Sequence, residues 1–172
     1  WRMVKLTEKL KSKFVNTKFH LIGEFANHAL KQEFDDYIRK NNLEKNVIYH
    51  GIIPNKDIYD FINQFSIGLI LLDYEKNFER ALPTKMFEYM LCRIPVITTD
   101  IKTWKDIIED ANGGYAVNSD NIEEQLKACK KLFSNPELIE SLGNNGFNAV
   151  KEKYSWEAEE KIFLSTIENI LN

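Results

Sequence analysis

The residue types best suited to chemistry stand together in the segment 80–90, which reads RALPTKMFEYM. On a helix, which turns by about 100° per residue, one side carries Met86, Phe87, Met90 and Leu91. The opposite side carries Thr84, Lys85, Glu88 and Tyr89. We expect the apolar side to pack against a sheet, which leaves the polar side open to a ligand.

The polar side of this helix offers groups that suit two parts of one ligand. At the helix start, after Pro83, the free N–H groups of Thr84 and Lys85, the helix dipole and the lysine charge attract an anion. One turn further on, the Glu88 carboxylate can accept hydrogen bonds from two adjacent sugar hydroxyls. A nucleoside diphosphate carries both features. The spacing alone leaves open a surface helix with a Lys85–Glu88 ion pair, worth about a few tenths of a kcal/mol.

The elements that position this segment alternate regularly along the chain. Apolar runs predict five strands, and runs that are apolar on both faces are typical of a parallel sheet. The alternation predicts an α/β fold, a Rossmann-like parallel sheet of about five strands with helices on both faces, and ligands at the carboxyl ends of the strands. The predicted strands span 19–23, 46–51, 66–72, 94–99 and 114–117, and the predicted helices span 26–41, 55–64, 83–92, 103–109, 122–133, 136–153 and 155–171.

Composition excludes several classes of protein. The 172 residues are 44% apolar, enough for a core, and the net charge of -3 argues against nucleic-acid binding by bulk electrostatics. No apolar run approaches the roughly 20 residues of a membrane span. Cys92 and Cys129 stand far apart, which fits a reducing cytosol rather than a disulfide or zinc pattern. No three-ligand metal pattern is present, so we expect neither a metal nor a cofactor.

The strings Leu82–Met90 and Ile94–Ile97 resemble the donor-nucleotide segment of retaining glycosyltransferases of family 4, also known as glycosyl transferases group 1. These enzymes have the GT-B architecture of two Rossmann-like domains. Further strings agree in order with this family and extend the resemblance over nearly all of the chain; they occupy 20–23, 47–54, 58–61, 66–69 and 154–157. The resemblance implies that the chain is the C-terminal, donor-binding half of such an enzyme.

The resemblance also implies roles for residues of the 83–88 segment. Glu88 matches the second acid of the family's Glu-x7-Glu motif, which binds the donor ribose. Pro83, Thr84 and Lys85 match the loop whose backbone N–H groups hold the diphosphate. Fixed charges of the protein would then stabilise the leaving group without a metal.

The other implied positions concern the nucleobase and the transferred sugar. Ile53, near Gly51, matches the position that packs against the base, and Asn55 can reach the base edge. The first acid of the motif contacts the sugar, but eight residues before Glu88 the chain has Arg80, and Glu79 is one residue out of register. Arg80 and Glu79 are therefore the weaker candidates, for the donor sugar.

The domain organisation implied by the resemblance is a single donor-binding domain over 1–172, closed by C-terminal helices within 120–171. By this resemblance we expect the N-terminal acceptor domain and the first strand of this domain to lie outside the given sequence. Because that strand is central in related sheets, we expect the sheet to lack a middle member, to close up around the gap, or to be completed by residues outside this sequence. Trp156 and Phe163, if exposed, mark the surface for the absent domain.

The implied function is transfer of a sugar, with retention, from a nucleoside-diphosphate sugar to a saccharide or lipid-linked acceptor in bacterial surface polysaccharide synthesis. The acceptor would be bound through the absent domain, and the isolated fragment would bind nucleotide weakly and catalyse little. The resemblance places the protein in the cytoplasm and allows the full-length enzyme to associate peripherally with the inner face of the membrane.

Three alternatives remain open. A non-catalytic glycosyltransferase-like subunit would keep the fold and lose the sugar-contacting acid, as Arg80 suggests. A GT-B sugar-nucleotide epimerase usually needs several acids and a histidine in its cleft. A receiver-type signalling domain needs paired acids after its first strand, whereas Asp35 and Asp36 lie inside a predicted helix.

Overall fold

Five short parallel strands alternate with helices in the computed structural model, which describes residues 1–171 apart from the side chain at position 162. All five predicted strands are present; β5 has the predicted bounds, and the other four are shorter than their apolar runs. The predicted α/β class is therefore confirmed. The strands are β1 (Phe19–Ile22), β2 (Val47–Gly51), β3 (Gly68–Ile70), β4 (Val96–Thr99) and β5 (Gly114–Val117).

The strands divide between two sheets instead of forming one. β1 pairs in parallel with β2, while β3, β4 and β5 form a separate parallel sheet in that order. The prediction of a single sheet of about five strands is corrected in this respect. In the described part of the chain, no hydrogen bonds pair β1 with β3, so the two sheets are not joined.

Eight helices surround the strands within residues 1–171, and α1 has no counterpart in the sequence prediction. The segment 55–64, predicted as one helix, is a 3₁₀ turn at Asn55–Asp57 followed by a short α-helix, because Asp57 (φ −103°, ψ −7°) departs from α-helical geometry. The helices are α1 (Arg2–Leu10), α2 (His28–Lys40), α3 (Ile58–Ile62), α4 (Thr84–Leu91), α5 (Lys102–Ala111), α6 (Ile122–Phe133), α7 (Pro136–Lys153) and α8 (Trp156–Leu171).

The start of α4 differs by one residue from the prediction. Pro83 was expected at the first helical position, but its extended backbone (φ −72°, ψ 115°) makes it the N-cap, and the helix begins at Thr84. No side chain caps this end. The first N–H groups of α4 therefore lack an intrahelical acceptor and are available to a ligand.

The core lies on both faces of the three-stranded sheet. All four residues of β4 are buried, as expected for the central strand of its sheet. α1 and α6 contribute to one core cluster and α4 and α5 to the other, while α7 contributes to both. α2 packs on the two-stranded sheet in a third cluster. Met86 and Met90 are fully buried, as predicted, but Leu91 of the predicted apolar side is 41% exposed, and the ring of Tyr89 of the predicted polar side packs against β3.

The last helix, α8, contacts α7 and leaves much apolar surface in solvent. Trp156 is 68% exposed and Phe163 is 57% exposed, so both apolar side chains face the solvent. That this surface receives another domain remains a prediction. None of the helices within residues 1–171 has both the length and the apolar character that crossing a membrane requires.

Candidate functional site

The rotation of α4 about its own axis determines which side chains reach the open space beside it. Met86 and Met90 pack in the core beneath the sheet, and the ring of Tyr89 lies against Gly68 of β3. A Cβ atom at Gly68 would lie 2.3 Å from Cδ2 of Tyr89, so only glycine admits the ring there. With these side chains fixed, Lys85 and Glu88 line a cavity of about 470 Å³.

This cavity lies between the two sheets, beside β1 and β3. Glu88 is half-buried in its wall, and Lys85 is exposed at its margin. Within residues 1–171, no ion pair joins Lys85 to Glu88, so the pairing that the alternative of a surface helix assumed is not formed. The structure thus presents one cation and one anion to the same space, one turn apart on α4.

The charge of Glu88 acts on two neighbours of α4. The pKa of Tyr89 is raised, mainly by burial of the phenol and further by the Glu88 carboxylate. Burial and the same carboxylate also raise the pKa of the Cys92 thiol. Both side chains therefore stay neutral near pH 7, and the two charges of this helix face are those of Lys85 and Glu88.

The residues predicted to contact the base lie at the carboxyl end of β2, outside the cavity wall. Gly51 takes a positive φ of 67°, which favours glycine, and its carbonyl accepts a hydrogen bond of 2.8 Å from the N–H of Gly23. Ile53 is half-buried, and Asn55 is exposed at the start of the 3₁₀ turn. These three residues are thus placed at the same edge of the strands as α4 but apart from it.

The two weaker candidates, Glu79 and Arg80, line a second cavity, of about 670 Å³, at the carboxyl ends of β4 and β5. Tyr74 donates a hydrogen bond from its hydroxyl to the Glu79 carboxylate. The structure therefore separates these two residues from Lys85 and Glu88. The link between them is the loop that leads from β3 into α4.

An ion cluster around Arg2 was missed by the sequence analysis. Its guanidinium donates to Asp73 Oδ1 and to Asp120 Oδ1, each at 2.6 Å, and also to the carbonyl of Ser119. These hydrogen bonds raise the pKa of Arg2. Asp73 and Asp120 lie 71 and 118 positions from Arg2 in the sequence, so no local sequence pattern predicts these contacts. Asp73, which ends the β3 segment, is therefore paired to Arg2 and is not a free carboxylate.

Two histidines on neighbouring strands share a hydrogen bond near the cavity. Nδ1 of His20 lies 2.9 Å from Nε2 of His50, and the two ring planes are within 7° of each other. Phe61 and Phe65 pack against the pair. Burial, then the charges of His50 and Lys18, lower the pKa of His20, so the fold favours the neutral ring.

This histidine pair predicts a pH dependence of stability. Because the pKa of His20 is lower in the folded than in the unfolded chain, its stabilising contribution is complete above the ordinary value of about 6.5 and is lost as the pH falls below it. We expect the urea midpoint to fall between pH 7.5 and pH 5.5, and to fall less in His20→Gln. Equal losses in both proteins, measured by circular dichroism, would contradict this expectation.

The family was tested by comparison with known proteins. The model of the family described as glycosyl transferases group 1 matches residues 2–149. Curated relatives include an uncharacterised glycosyltransferase of Methanocaldococcus jannaschii, 26% identical over 145 residues, and the capsular polysaccharide biosynthesis glycosyltransferase CapM of Staphylococcus aureus, 24% identical over 156 residues. These matches cover 84% and 88% of this chain, but the chain spans only 38% and 39% of those relatives.

Solved structures agree with this match. A mutant of TarM from S. aureus, in complex with fondaparinux, α-GlcNAc-glycerol and UDP, superposes with a TM-score of 0.80 at 27% identity, over 95% of this chain and 31% of TarM. The C-terminal domain of LpcC, a group 1 glycosyl transferase of Francisella tularensis, gives a TM-score of 0.77 at 21% identity, over 90% of this chain and 78% of that domain. The predicted resemblance is confirmed: the chain belongs to the glycosyl transferases group 1 family, as a C-terminal domain of its GT-B fold.

Proposed function

We propose that this domain binds a nucleoside-diphosphate sugar, and that the full-length protein transfers the sugar, with retention, to a saccharide or lipid-linked acceptor of a surface polysaccharide. The observation that carries the proposal is the placement of Lys85 and Glu88, which form no ion pair with each other, on the wall of one cavity beside α4. Membership of the group 1 family supports the transfer reaction. UDP in the TarM complex and the capsular role of CapM support the donor and acceptor classes.

In this proposal the start of α4 carries the negative charge of the leaving group. The diphosphate accepts hydrogen bonds from the N–H groups of Thr84 and Lys85, and the lysine ammonium and the helix dipole add fixed positive charge. As the bond to the sugar breaks, charge builds on the diphosphate oxygens, and groups already oriented toward them lower the barrier. Glu88 holds the ribose one turn further along the helix, while Ile53 and Asn55 serve the base.

A second function is favoured by one observation. Arg80 stands where the family has its sugar-contacting acid, and the nearest carboxylate, that of Glu79, accepts a hydrogen bond from Tyr74 in the second cavity. A protein that binds nucleotide without transferring sugar, as a non-catalytic subunit, would tolerate this change.

One experiment separates the two functions. The full-length protein is incubated with UDP-, GDP- and ADP-sugars and an acceptor extract, and the anomeric proton of the product is followed by NMR. We expect consumption of one donor class and a product with the anomeric configuration of the donor. Nucleotide binding without consumption of any donor would favour the non-catalytic subunit, and a product of inverted configuration would contradict retention.

Lys85→Met tests the diphosphate part of the site. We expect this change to weaken nucleoside-diphosphate binding about tenfold, the loss of roughly one charge-assisted hydrogen bond, and to leave binding of the plain nucleoside unchanged. The measurement is calorimetric titration with both ligands.

Lys102→Met is the matched control, because Lys102 is an exposed lysine at the start of α5 on the second cavity. This variant should bind the diphosphate as the parent does. If both variants lose the same affinity for the nucleoside diphosphate, Lys85 contributes only to the overall positive charge of the domain and does not contact the ligand.

A further inference from the structure

The loop that leads from β3 into α4 lies almost entirely at the surface. Every residue of 72–82 is exposed except Phe78, which is half-buried. At the start of the loop, Leu72 is bonded to the hydroxyl of Thr99 in β4 through both its N–H and its carbonyl. The far end of the loop, where α4 begins, gains little from packing of its own side chains, so its position depends on contacts from elsewhere in the fold.

Trp104 of α5 contacts this loop from the core in two ways. Its indole Nε1–H donates a hydrogen bond of 2.6 Å to the carbonyl oxygen of Ala81. The centroid of its ring lies 5.7 Å from that of Phe78. Within residues 1–171, no other hydrogen bond joins residues 74–82 to the rest of the chain. Trp104 therefore supplies both the hydrogen bond and an aromatic contact that fix the second half of the loop.

The indole of Trp104 is itself held rigidly. The residue is fully buried and belongs to the core cluster that also contains Met86 and Met90 of α4. A buried indole N–H needs an acceptor, because an unpaired donor in the core costs free energy. The carbonyl of Ala81 is that acceptor. The core that fixes the buried side of α4 thus also fixes the loop just before this helix.

The short segment between Ala81 and α4 has little conformational freedom. Only Leu82 and Pro83 separate Ala81 from Thr84, the first residue of the helix. The proline ring fixes φ of Pro83, here −72°, and a residue before proline is restricted to extended conformations, which limits Leu82. Because the segment is short and stiff, the position of the Ala81 carbonyl determines where the N–H groups of Thr84 and Lys85 lie.

We propose that Trp104 is a positioning residue for the diphosphate: through its bond to Ala81 it places the first N–H groups of α4 for the ligand. This role rests on the proposed function, in which those N–H groups bind the diphosphate. Trp104 lines neither of the two cavities, so it acts through the loop and not by touching the ligand. Loss of its N–H should free the start of α4, while Glu88 and the base-binding residues after β2 stay in place.

NMR of the ligand-free protein tests the structural half of this proposal without a nucleotide. The chain has three tryptophans, and Trp1 and Trp156 are exposed. We expect one of the three indole N–H signals to exchange slowly with D₂O and to disappear in Trp104→Phe, which keeps an aromatic ring in the core. In the same variant, the backbone amides within 81–85 should shift. Unchanged amides in this segment would overturn the proposal, whether or not the protein binds a nucleotide.

Calorimetric titration tests the functional half. UDP, GDP and ADP are each compared with the corresponding nucleoside. For whichever diphosphate the parent binds, we expect Trp104→Phe to raise the dissociation constant about three- to tenfold, the equivalent of one misplaced hydrogen bond, and to leave that of the nucleoside unchanged. Trp104→2-naphthylalanine keeps two fused rings but lacks the N–H group. It should show the same selective loss, which separates the missing donor from missing volume in the core.

Ile108→Val is the matched control, because Ile108 is fully buried in the same cluster, one turn beyond Trp104 on α5, and offers no hydrogen bond to the loop. It should lower the Tm and leave both affinities unchanged. An equal, selective loss of diphosphate affinity in this control would overturn the proposal, since Trp104 would then only stabilise the fold. If the parent binds a diphosphate and both Trp104 variants bind it equally well, this proposal alone fails. A parent that binds no nucleotide would overturn the proposed function as well.

Discussion

Replacing Glu88 by glutamine is expected to weaken nucleoside-diphosphate binding by about ten- to a hundredfold. A carboxylate accepts hydrogen bonds from both ribose hydroxyls, and bonds to a charged group contribute roughly 1.5 to 3 kcal/mol each. Glutamine keeps the size and the helix propensity of the residue, but it offers one acceptor oxygen and turns an N–H group toward the second hydroxyl. The dissociation constants are measured by calorimetry.

Two controls accompany this variant: one changes the ligand and the other changes a different carboxylate of the chain. A 2′-deoxynucleoside diphosphate should bind the parent domain more weakly, and Glu88→Gln should weaken its binding by a smaller factor than it weakens that of the ribonucleotide, because one of the two hydrogen bonds to Glu88 is already lost. Glu79→Gln, in the second cavity, should leave nucleoside-diphosphate binding unchanged. If the parent and Glu88→Gln bind the ribonucleotide with equal affinity, Glu88 does not bind the ribose.

Gly143→Ala is expected to lower the free energy of unfolding by about 2 to 3 kcal/mol, the cost of overpacking a closed contact. A Cβ atom at Gly143 would lie 2.0 Å from the carbonyl oxygen of Arg93 and 2.7 Å from its carbonyl carbon. Arg93 has φ 55° and its N–H is bonded to Met90, so this backbone cannot withdraw freely. α7 would have to move off the end of α4, and the better helix propensity of alanine, about 1 kcal/mol, offsets only part of that.

Gly146→Ala, one turn along the same helix, is the matched control. Its Cβ would lie 3.1 Å from Cγ of Met90, the flexible part of a side chain that can yield by a few tenths of an ångström. We expect the Tm to fall by roughly 5 to 10 °C in Gly143→Ala and by much less in Gly146→Ala. Equal thermal melting of the two variants, followed by circular dichroism, would show that the approach of α7 to Arg93 is not rigid.

The sequence could predict the elements whose signal is local. The run around β4 is apolar on both faces because the strand is buried on both faces, and the spacing of Met86 and Met90 gave the buried side of α4. Asn121 and Asn135 cap α6 and α7 by accepting from N–H groups three residues on, so those helices begin where predicted.

Features that depend on distant partners could not be predicted in this way. The position of α1 rests on Arg2 and its contacts with Asp73 and Asp120, and the division into two sheets depends on which strand edges meet. The same limit applies to the site. Lys85 and Glu88 share a cavity because of helical spacing, whereas Glu79 falls in a second cavity because the loop after β3 turns away.

The most direct test of the donor-site assignment is a titration of the isotope-labelled chain with UDP, GDP and ADP, followed by amide NMR shifts. The account predicts saturable shifts with at least one of the three, centred on 51–55 and 84–88 and reduced in Glu88→Gln. Shifts confined to the second cavity, at 99–103 and 118–120, or no shift with any of the three at millimolar concentration, would contradict it.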